Sequence, residues 1–306
     1  MDKIKVVCSG LIFPVFMGRY FIEEFQQLPN VDLKIAGPFS GNWIPWNGGM
    51  TLPARYVMTP DIPLPMGINK CDPALVEKKL PWKPDLWIQF DAGFHFTRRP
   101  EATLSVTVAT DPHCWNDLHY DDPKNYSDIF FNMQQSYLKP GDVYLPYAYS
   151  EKHHYPVSPC PKKYDGCLIG LQYTQRNSLV KELRKLGYEI HYSIGEVFDE
   201  FRLSYNQSKV ALNWSSLDDL NARSFEAFGM KIPLLTNRVT DLKNFFVEGD
   251  DYIGFSNVDE AVQKFTWMMG HPIEVEDMAK RVFKKVQEEH TYRNRVQQIL
   301  QVCELI

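Results

Sequence analysis

The segment from Ser208 to Gly254 constrains the fold of this chain more than any other. Its sequence predicts a buried strand over Lys209–Trp214, a polar loop, and a short helix that begins at Asn221. A second strand is predicted over Ile232–Thr236, followed by a further helix and strand. Strands that alternate with helices predict a parallel sheet covered by helices. Because the first amides of a helix lack backbone partners, this order also predicts an anion or nucleotide site at the strand ends.

The same alternation extends over the rest of the chain and predicts two doubly wound α/β domains. In the first half the predicted strands are 3–10, 31–36, 85–93, 104–111, 128–133 and 142–148, with a helix over 16–28 and a long irregular excursion over 37–69. In the second half the predicted strands are 166–170 and 189–193, and the predicted helices are 176–186, 197–204, 258–269, 273–289 and 292–305. A proline-rich, charged segment over 149–164 is typical of a linker. We therefore expect domains over 1–149 and 150–290, with residues 291–306 forming a last helix.

Composition indicates a globular cytoplasmic protein. The 306 residues, 44% hydrophobic and 23% charged, suit two domains of ordinary size. The net charge of −5 disfavours nucleic acid and anionic membranes as partners. The six cysteines are scattered without a C-x-x-C pair, which predicts reduced thiols. No apolar run approaches ~20 residues, so we expect neither a signal peptide nor a membrane span.

Two elements of the second half carry residues suited to a sugar phosphate. Arg223 and Glu226 are three residues apart and share one face of a helix. A cation there suits a phosphate and a carboxylate suits sugar hydroxyls, although the two side chains could instead pair with each other. In the loop GLQYTQR, Gly170 ends a strand and Arg176 opens a helix, where an arginine can bridge a diphosphate. The alternative is a surface arginine after an ordinary turn.

In the first half, the loop after the first strand contains Gly10 and Gly18. It lacks the G-x-G-x-x-G spacing of dinucleotide-binding proteins, which argues against a nicotinamide oxidoreductase. The two glycines are candidates for an acceptor-side loop, and structural turns explain them equally well. Three polar residues near strand ends are candidates for a catalytic base, namely Asp111, His113 and Asp91. Asp111 could instead cap a turn ahead of Pro112.

We expect no metal site from the sequence. His113 and His119 have neither a third ligand nor a metal-site spacing, and His153 and His154 lie in the linker, where solvated side chains are expected. No acidic doublet shows the D-x-D pattern that holds a metal-bound diphosphate.

The run NARSFEAFGMKIPLLTN resembles the donor-site segment of group 1 glycosyltransferases, and most of all their spore-maturation (CgeB-like) branch. The resemblance covers about residues 140–300. In that group two glutamates separated by seven residues mark the donor site. Glu226 matches the second, which binds the ribose hydroxyls, and Asp218 stands at the first. Gly170 and Arg176 resemble the family's G-x-x-x-x-x-R element, and Asn213 would lie near the donor.

This resemblance implies a GT-B fold, in which two Rossmann-like domains face each other across a cleft and the last helix crosses back to the first domain. It implies transfer of a sugar from a nucleotide-diphosphate sugar, with a UDP-sugar first among the donors, to a hydroxyl of a glycan, a protein, a small molecule or a modified nucleobase. Arg176 and Arg223 would stabilise the leaving diphosphate without a metal or other cofactor. A sugar-nucleotide epimerase on the same fold and a non-catalytic nucleotide-sugar-binding protein remain as alternatives.

Overall fold

The chain is described by a computed structural model at residues 3–44, 49–91, 93–114, 117–217 and 219–306. It divides into two compact units. The first comprises Met1–Pro146 together with Tyr292–Ile306, and the second comprises Tyr147–Thr291. Within the described residues, no helix is long and apolar enough to cross a membrane.

The first unit is built around a parallel sheet of seven strands in the described residues, in the order β11-β10-β9-β7-β1-β2-β5. Its central strand β7 has the sequence LWIQFD and is buried throughout, as expected for a parallel strand covered on both faces. The elements of this unit, in chain order, are β1 (Ile4–Ser9), α1 (Gly18–Phe25), β2 (Val31–Pro38), β3 (Trp43–Ile44), β4 (Met50–Thr51), β5 (Ile62–Leu64), β6 (Lys70–Cys71), α2 (Ala74–Glu77), β7 (Leu86–Asp91), β8 (His95–Phe96), β9 (Leu104–Ala109), α3 (Asp117–Tyr126), β10 (Ile129–Asn132) and β11 (Val143–Tyr144).

The second unit contains a parallel sheet of five strands in the described residues, in the order β13-β12-β14-β15-β16. Since β13 and β14 lie on opposite sides of β12, the chain reverses direction across the sheet between β12 and β14. In open α/β sheets ligands bind beyond the carboxyl ends of the strands at such a point. The elements of this unit are β12 (Tyr164–Ile169), α4 (Thr174–Lys185), β13 (Ile190–Ser193), α5 (Phe198–Asn206), β14 (Ser208–Asn213), α6 (Ala222–Gly229), β15 (Leu234–Asn237), β16 (Ile253–Phe255), α7 (Val258–Gly270) and α8 (Pro272–Glu289).

The last helix, α9 (Tyr292–Val302), belongs to the first unit and packs against α1. The ring of Tyr292 stacks on Tyr20 and meets Phe21 edge-on, with centroids 5.0 Å apart in both pairs. Arg295 is buried and donates from Nε to the carbonyl of Pro146 at 2.8 Å. Burial lowers the pKa of this guanidinium to about 10.

One helix was not predicted, and one prediction about local structure was wrong. No element was predicted between the strands 104–111 and 128–133, where the structure has the helix α3 with Pro123 in its interior. The sequence does not predict α3, because the helix is polar, lacks an amphipathic pattern and contains a proline. His153 and His154 were expected to be solvated, but both are buried among the side chains of the second unit.

Candidate functional site

In the second unit, two guanidinium groups converge over the turn that follows β12. Gly170 has a φ of +143°, and a Cβ built on it would lie 2.8 Å from Arg223 Nη2 and 3.2 Å from Arg176 Nη1. Arg176 is fixed by donating from Nε to the carbonyl of Trp214 at 2.8 Å and from Nη1 to that of Leu171 at 2.9 Å. The glycine therefore leaves the space that the two cations share.

Arg223 is held in place by Asn213, at the carboxyl end of the neighbouring strand β14. Asn213 is buried, donates from Nδ2 to Thr236 Oγ1 at 3.0 Å, and accepts from Arg223 Nη1 at 3.1 Å and from Asn221 Nδ2 at 3.3 Å. Asn213 thus positions Arg223 and has few hydrogen-bonding atoms left for a ligand. Asp218 lies outside the described residues.

The two arginines form a concentration of positive charge that lacks a local counter-charge. Among the described residues, neither Arg176 nor Arg223 forms an ion pair, and the buried Arg223 Nε has no hydrogen-bond partner. Burial and the charge of Arg223 lower the pKa of Arg176 to about 10. The helices that carry them, α4 and α6, begin without a capping side chain, so amides of both first turns are available as well. This arrangement is suited to bind an anion.

Glu226 is directed towards His154, and no ion pair joins it to Arg223. Its Oε1 lies 3.6 Å from His154 Nε2, while His154 Nδ1 accepts the backbone N–H of Ser150 at 3.3 Å. Burial raises the pKa of Glu226 to about 7, against the opposing effect of Arg223. The structure therefore identifies His154 as a neighbour of the candidate site. The sequence did not predict this contact, because His154 lies in a segment with the composition of a linker.

In the first unit, Gly10 and Gly18 approach β7 closely. A Cβ on Gly10 would lie 2.8 Å from the carbonyl oxygen of Phe90, and one on Gly18 would lie 2.7 Å from the Phe90 ring. Packing alone accounts for both glycines, and their role in an acceptor-side loop stays a prediction.

The three candidates for a base lie at the ends of two adjacent strands, β7 and β9. Asp111 and His113 follow β9, and together with Cys114 they place ligand atoms within 4.8 Å of one another. Asp91 ends β7 and is buried. Thr110 lies between the two groups: its hydroxyl donates to the Asp91 carbonyl at 2.6 Å, and its Oγ1 lies 3.2 Å from Asp111 Oδ2.

Asp91 also belongs to a second cluster of metal-ligating side chains, with His95 and His119. His119 Nε2 lies 3.0 Å from Asp91 Oδ1 and 3.0 Å from His95 Nε2, and His95 Nε2 lies 3.9 Å from Asp91 Oδ1. The sequence showed no third ligand for His119, because its partners are 24 and 28 positions away. Their convergence depends on the fold.

Comparisons with known proteins agree on one class. Residues 161–301 match the family model described as "Glycosyl transferase-like". The solved structure of Alr3699/HepE from Anabaena in complex with UDP is similar at a TM-score of 0.66 and 8% identity, over 99% of this chain and 100% of that one. Sucrose-phosphate synthase from Thermosynechococcus elongatus is similar at a TM-score of 0.61 and 10% identity, over 99% and 98% of the two chains.

A third similar structure is an alpha-glucosyltransferase in complex with UDP and a 13-mer DNA, at a TM-score of 0.65 and 7% identity over 99% of this chain and 100% of that one. None of the curated proteins matches the chain. The whole chain therefore has the GT-B fold of two Rossmann-like domains, as the resemblance implied. Fold and family match together define the class of protein: it is a glycosyltransferase.

Proposed function

We propose that this glycosyltransferase moves a sugar from a nucleotide-diphosphate sugar to a hydroxyl acceptor, with the donor bound on the second domain. The observation that carries the proposal is the pair of guanidinium groups of Arg176 and Arg223, which converge over Gly170 at a strand end. A buried or half-buried cation without a counter-charge favours an anionic ligand. A diphosphate has the charge and the length to meet both groups.

In this proposal the arginines act on the leaving group. Negative charge grows on the diphosphate as the bond to the sugar breaks, and donors that are already oriented stabilise that charge at little reorganisation cost. Arg176 is oriented by two backbone carbonyls and Arg223 by Asn213, so neither has to be ordered when the donor binds. Because these cations neutralise the diphosphate, we propose that the donor step needs neither a metal ion nor another cofactor.

We propose that Glu226 binds the nucleoside. It lies on the same helix as Arg223, one turn further along, and its carboxylate can accept hydrogen bonds from two ribose hydroxyls. We propose a UDP-sugar as the donor, since the structures of Alr3699/HepE and of the alpha-glucosyltransferase contain UDP. The pattern N-x-R-x-F-E over 221–226 supports the spore-maturation branch. We assign the sugar-proximal role to Asp218 by its position in the family pattern alone.

The acceptor half of the reaction falls to the first domain. Asp111 and His113 follow a strand end and remain our candidates for the base, whereas the buried Asp91 could act only through a neighbouring group. The candidate acceptors are a surface glycan, a protein, a small molecule and a modified nucleobase. The DNA complex of the similar alpha-glucosyltransferase supports the last of these, and the net charge of −5 opposes it. The six free cysteines support a cytoplasmic location.

The test is a panel of UDP-, GDP-, dTDP- and CDP-sugars, with binding followed by calorimetry and turnover by release of free nucleotide diphosphate. We expect one donor to bind and to hydrolyse slowly in the absence of acceptor. Arg223→Gln should lower the rate by ~100-fold or more, and Glu226→Ala should weaken binding. Arg281→Gln is the matched control, because Arg281 is exposed on α8 of the same domain.

Three other results would replace the proposal. Conversion of the donor sugar without release of nucleotide diphosphate would indicate an epimerase. Tight binding without turnover, even with a broad set of acceptors, would indicate a non-catalytic binding protein. If no sugar nucleotide binds at millimolar concentration, the arginine pair serves another anion and the donor assignment is wrong.

A further inference from the structure

We propose that Asp91, His95 and His119 form a binding site for one divalent transition-metal ion in the first domain, with Zn²⁺ as the representative ion. None of these residues belongs to the proposed donor site. The sequence predicted no metal site, and the proposal departs from that prediction in the first domain. In the second domain the proposed diphosphate site still consists of arginines and needs no metal ion.

The three ligand atoms are spaced as the ligands of one metal ion are. Asp91 Oδ1, His95 Nε2 and His119 Nε2 form a triangle with sides of 3.0, 3.0 and 3.9 Å. Zinc bonds to nitrogen and oxygen are about 2.0–2.2 Å long, so two ligands of a tetrahedral ion are separated by roughly 3.3 Å. The triangle has this mean size before any ion is added. An ion could therefore be placed among the three atoms with small side-chain movements.

The buried carboxylate of Asp91 also favours a cation at this position. Its side chain is 0% exposed, and Oδ2 is buried without a hydrogen-bond partner. Oδ1 contacts the rings of His119 and His95 and accepts a long hydrogen bond of 3.3 Å from the amide of Gly93. Among the described residues, no lysine or arginine pairs with this carboxylate. A buried carboxylate needs a compensating cation, and a metal ion bound by the two neighbouring histidines would supply one.

The three candidate ligands lie on different elements of the first domain. They come from three elements, since Asp91 ends β7, His95 begins β8 and His119 lies on α3. The histidine side chains retain 13% and 14% exposure, which leaves a route for the ion and a position for a further ligand. Two histidines and one carboxylate with an open position are typical of zinc or iron(II) and are a poor set for Mg²⁺, which prefers oxygen.

Gln89 would be the outer partner of the site. Its Nε2 now donates to the carbonyl of Phe94 at 2.9 Å and lies 3.2 Å from His95 Nδ1. Coordination through His95 Nε2 places the ring proton on Nδ1, so the Gln89 amide must turn by half a rotation, present its oxygen, and give up its bond to Phe94. Outer partners of this kind are worth about 10–100-fold in metal affinity. We expect nitrogen NMR to show the proton of His95 move from Nε2 to Nδ1 when the ion binds.

The test uses the full chain, stripped of metal by chelator and titrated with zinc chloride or magnesium chloride by calorimetry. We expect one equivalent of zinc to bind and magnesium not to bind. His95→Gln and His119→Gln should each weaken zinc binding by about 100-fold or more. This effect is larger than that of losing a residue that only hydrogen-bonds to a ligand. His119→Cys should retain zinc binding, because a thiolate is a zinc ligand, although it cannot replace the histidine in a hydrogen-bond network.

Two control variants separate this site from other zinc-binding groups. Cys114→Ser disrupts the neighbouring cluster of Asp111, His113 and Cys114, and His271→Gln removes a histidine of the second domain. Both should bind zinc as the wild type does. Zinc binding that persists in the His95 and His119 variants and disappears in Cys114→Ser would assign the ion to the other cluster and overturn the proposal.

The competing explanation is a protonated histidine that pairs with Asp91. In that case zinc at about 100 μM, far above the dissociation constants of structural zinc sites, would neither bind nor raise the melting temperature. This result would overturn the metal site. Circular dichroism of each variant verifies that lost binding does not reflect lost folding.

Discussion

At the scale of single residues, burial changes the protonation of the carboxyl group beside the proposed donor site. Glu226 lies near two basic groups, Arg223 and His154, yet its pKa is raised to about 7 because the loss of water outweighs the nearby positive charge. Near neutral pH the protein therefore contains both forms of this side chain. The ionised form accepts hydrogen bonds from hydroxyls, and the protonated form can also donate one.

We predict that the stability of the donor-free protein falls as pH rises from about 4.5 to about 7. The folded pKa lies above the value near 4.5 of an unfolded chain, so between these values the folded state binds more protons, and its advantage is lost as they dissociate. Glu226→Gln stays neutral and should lack this component, which amounts to roughly 3 kcal/mol at 1.36 kcal/mol per pKa unit.

Urea unfolding at several pH values measures this prediction. Glu274→Gln, an exposed position on the first turn of α8, is the control and should follow the wild type. Parallel curves for wild type and Glu226→Gln across this range would show that Glu226 is ionised in the folded protein with an ordinary pKa.

At the scale of elements, the turn from β12 to α4 has a backbone conformation that favours glycine. Gly170 adopts a φ that side chains of L residues rarely accept, and its missing side chain leaves room for two guanidinium groups. The strand β12, the turn and the uncapped helix α4 follow one another directly in the chain at this position. The element thus combines a conformational and a steric reason for glycine.

We predict that Gly170→Ala weakens donor binding by at least about tenfold, a factor that corresponds to 1.4 kcal/mol. Its Cβ would lie 2.8 Å from Arg223 Nη2, so the guanidinium must move. Gly187→Ala is the matched control, because Gly187 also has a positive φ, of +87°, but nothing lies within 4 Å of its Cβ.

Both variants should lose stability, on the order of 1–3 kcal/mol, from backbone strain. Calorimetry with the UDP-sugar and thermal unfolding separate the two effects. Equal donor affinity in both variants would mean that the space over Gly170 is not part of the donor site.

At the scale of the whole molecule, the first domain is formed by two segments of the chain, and the second of them follows the second domain in sequence. The helix α9 follows the second domain in sequence and packs on α1 of the first. The first domain therefore depends on contacts between segments about 270 residues apart, such as the bond from the Tyr292 hydroxyl to Met17 Sδ, 275 positions away. Such contacts close long loops, which costs conformational entropy.

We predict that Tyr292→Ala destabilises the protein by about 3–5 kcal/mol, as large-to-small substitutions of buried aromatic residues do. The lost contacts are the stacked ring of Tyr20 and the edge contact with Phe21. Arg293→Ala, whose side chain is 60% exposed on the same helix, should change stability by no more than about 0.5 kcal/mol. Urea unfolding measures both, and similar small effects would show that α9 contributes little to the first domain.

The alternation of strands and helices determined the fold class, and the two-domain Rossmann-like prediction is confirmed. Hydrophobic period and turn chemistry are local properties, so β7, β12, β14 and the long helices near the carboxyl terminus were all predicted to within a few residues. The helix α3 was missed because its polar composition and internal proline carry no amphipathic pattern.

Part of the candidate donor site was also predicted from the sequence. Arg223 and Glu226 share one helical turn, and Gly170 and Arg176 share one strand-to-helix connection, so local spacing sufficed to select them. Their roles as ligands remain predictions. That Asn213 holds Arg223 required the tertiary structure, because the two residues meet at the ends of different elements.

What only the tertiary structure decided is which distant residues meet. Asp91, His95 and His119 come together because the carboxyl end of the central strand β7, a short strand and a helix converge there. His154 reaches Glu226 because its segment is buried. No local sequence pattern predicts these contacts, because they depend on the order of strands in the sheet and on loop closure over tens of residues. Burial is decided in the same way, and burial sets the charge of Glu226.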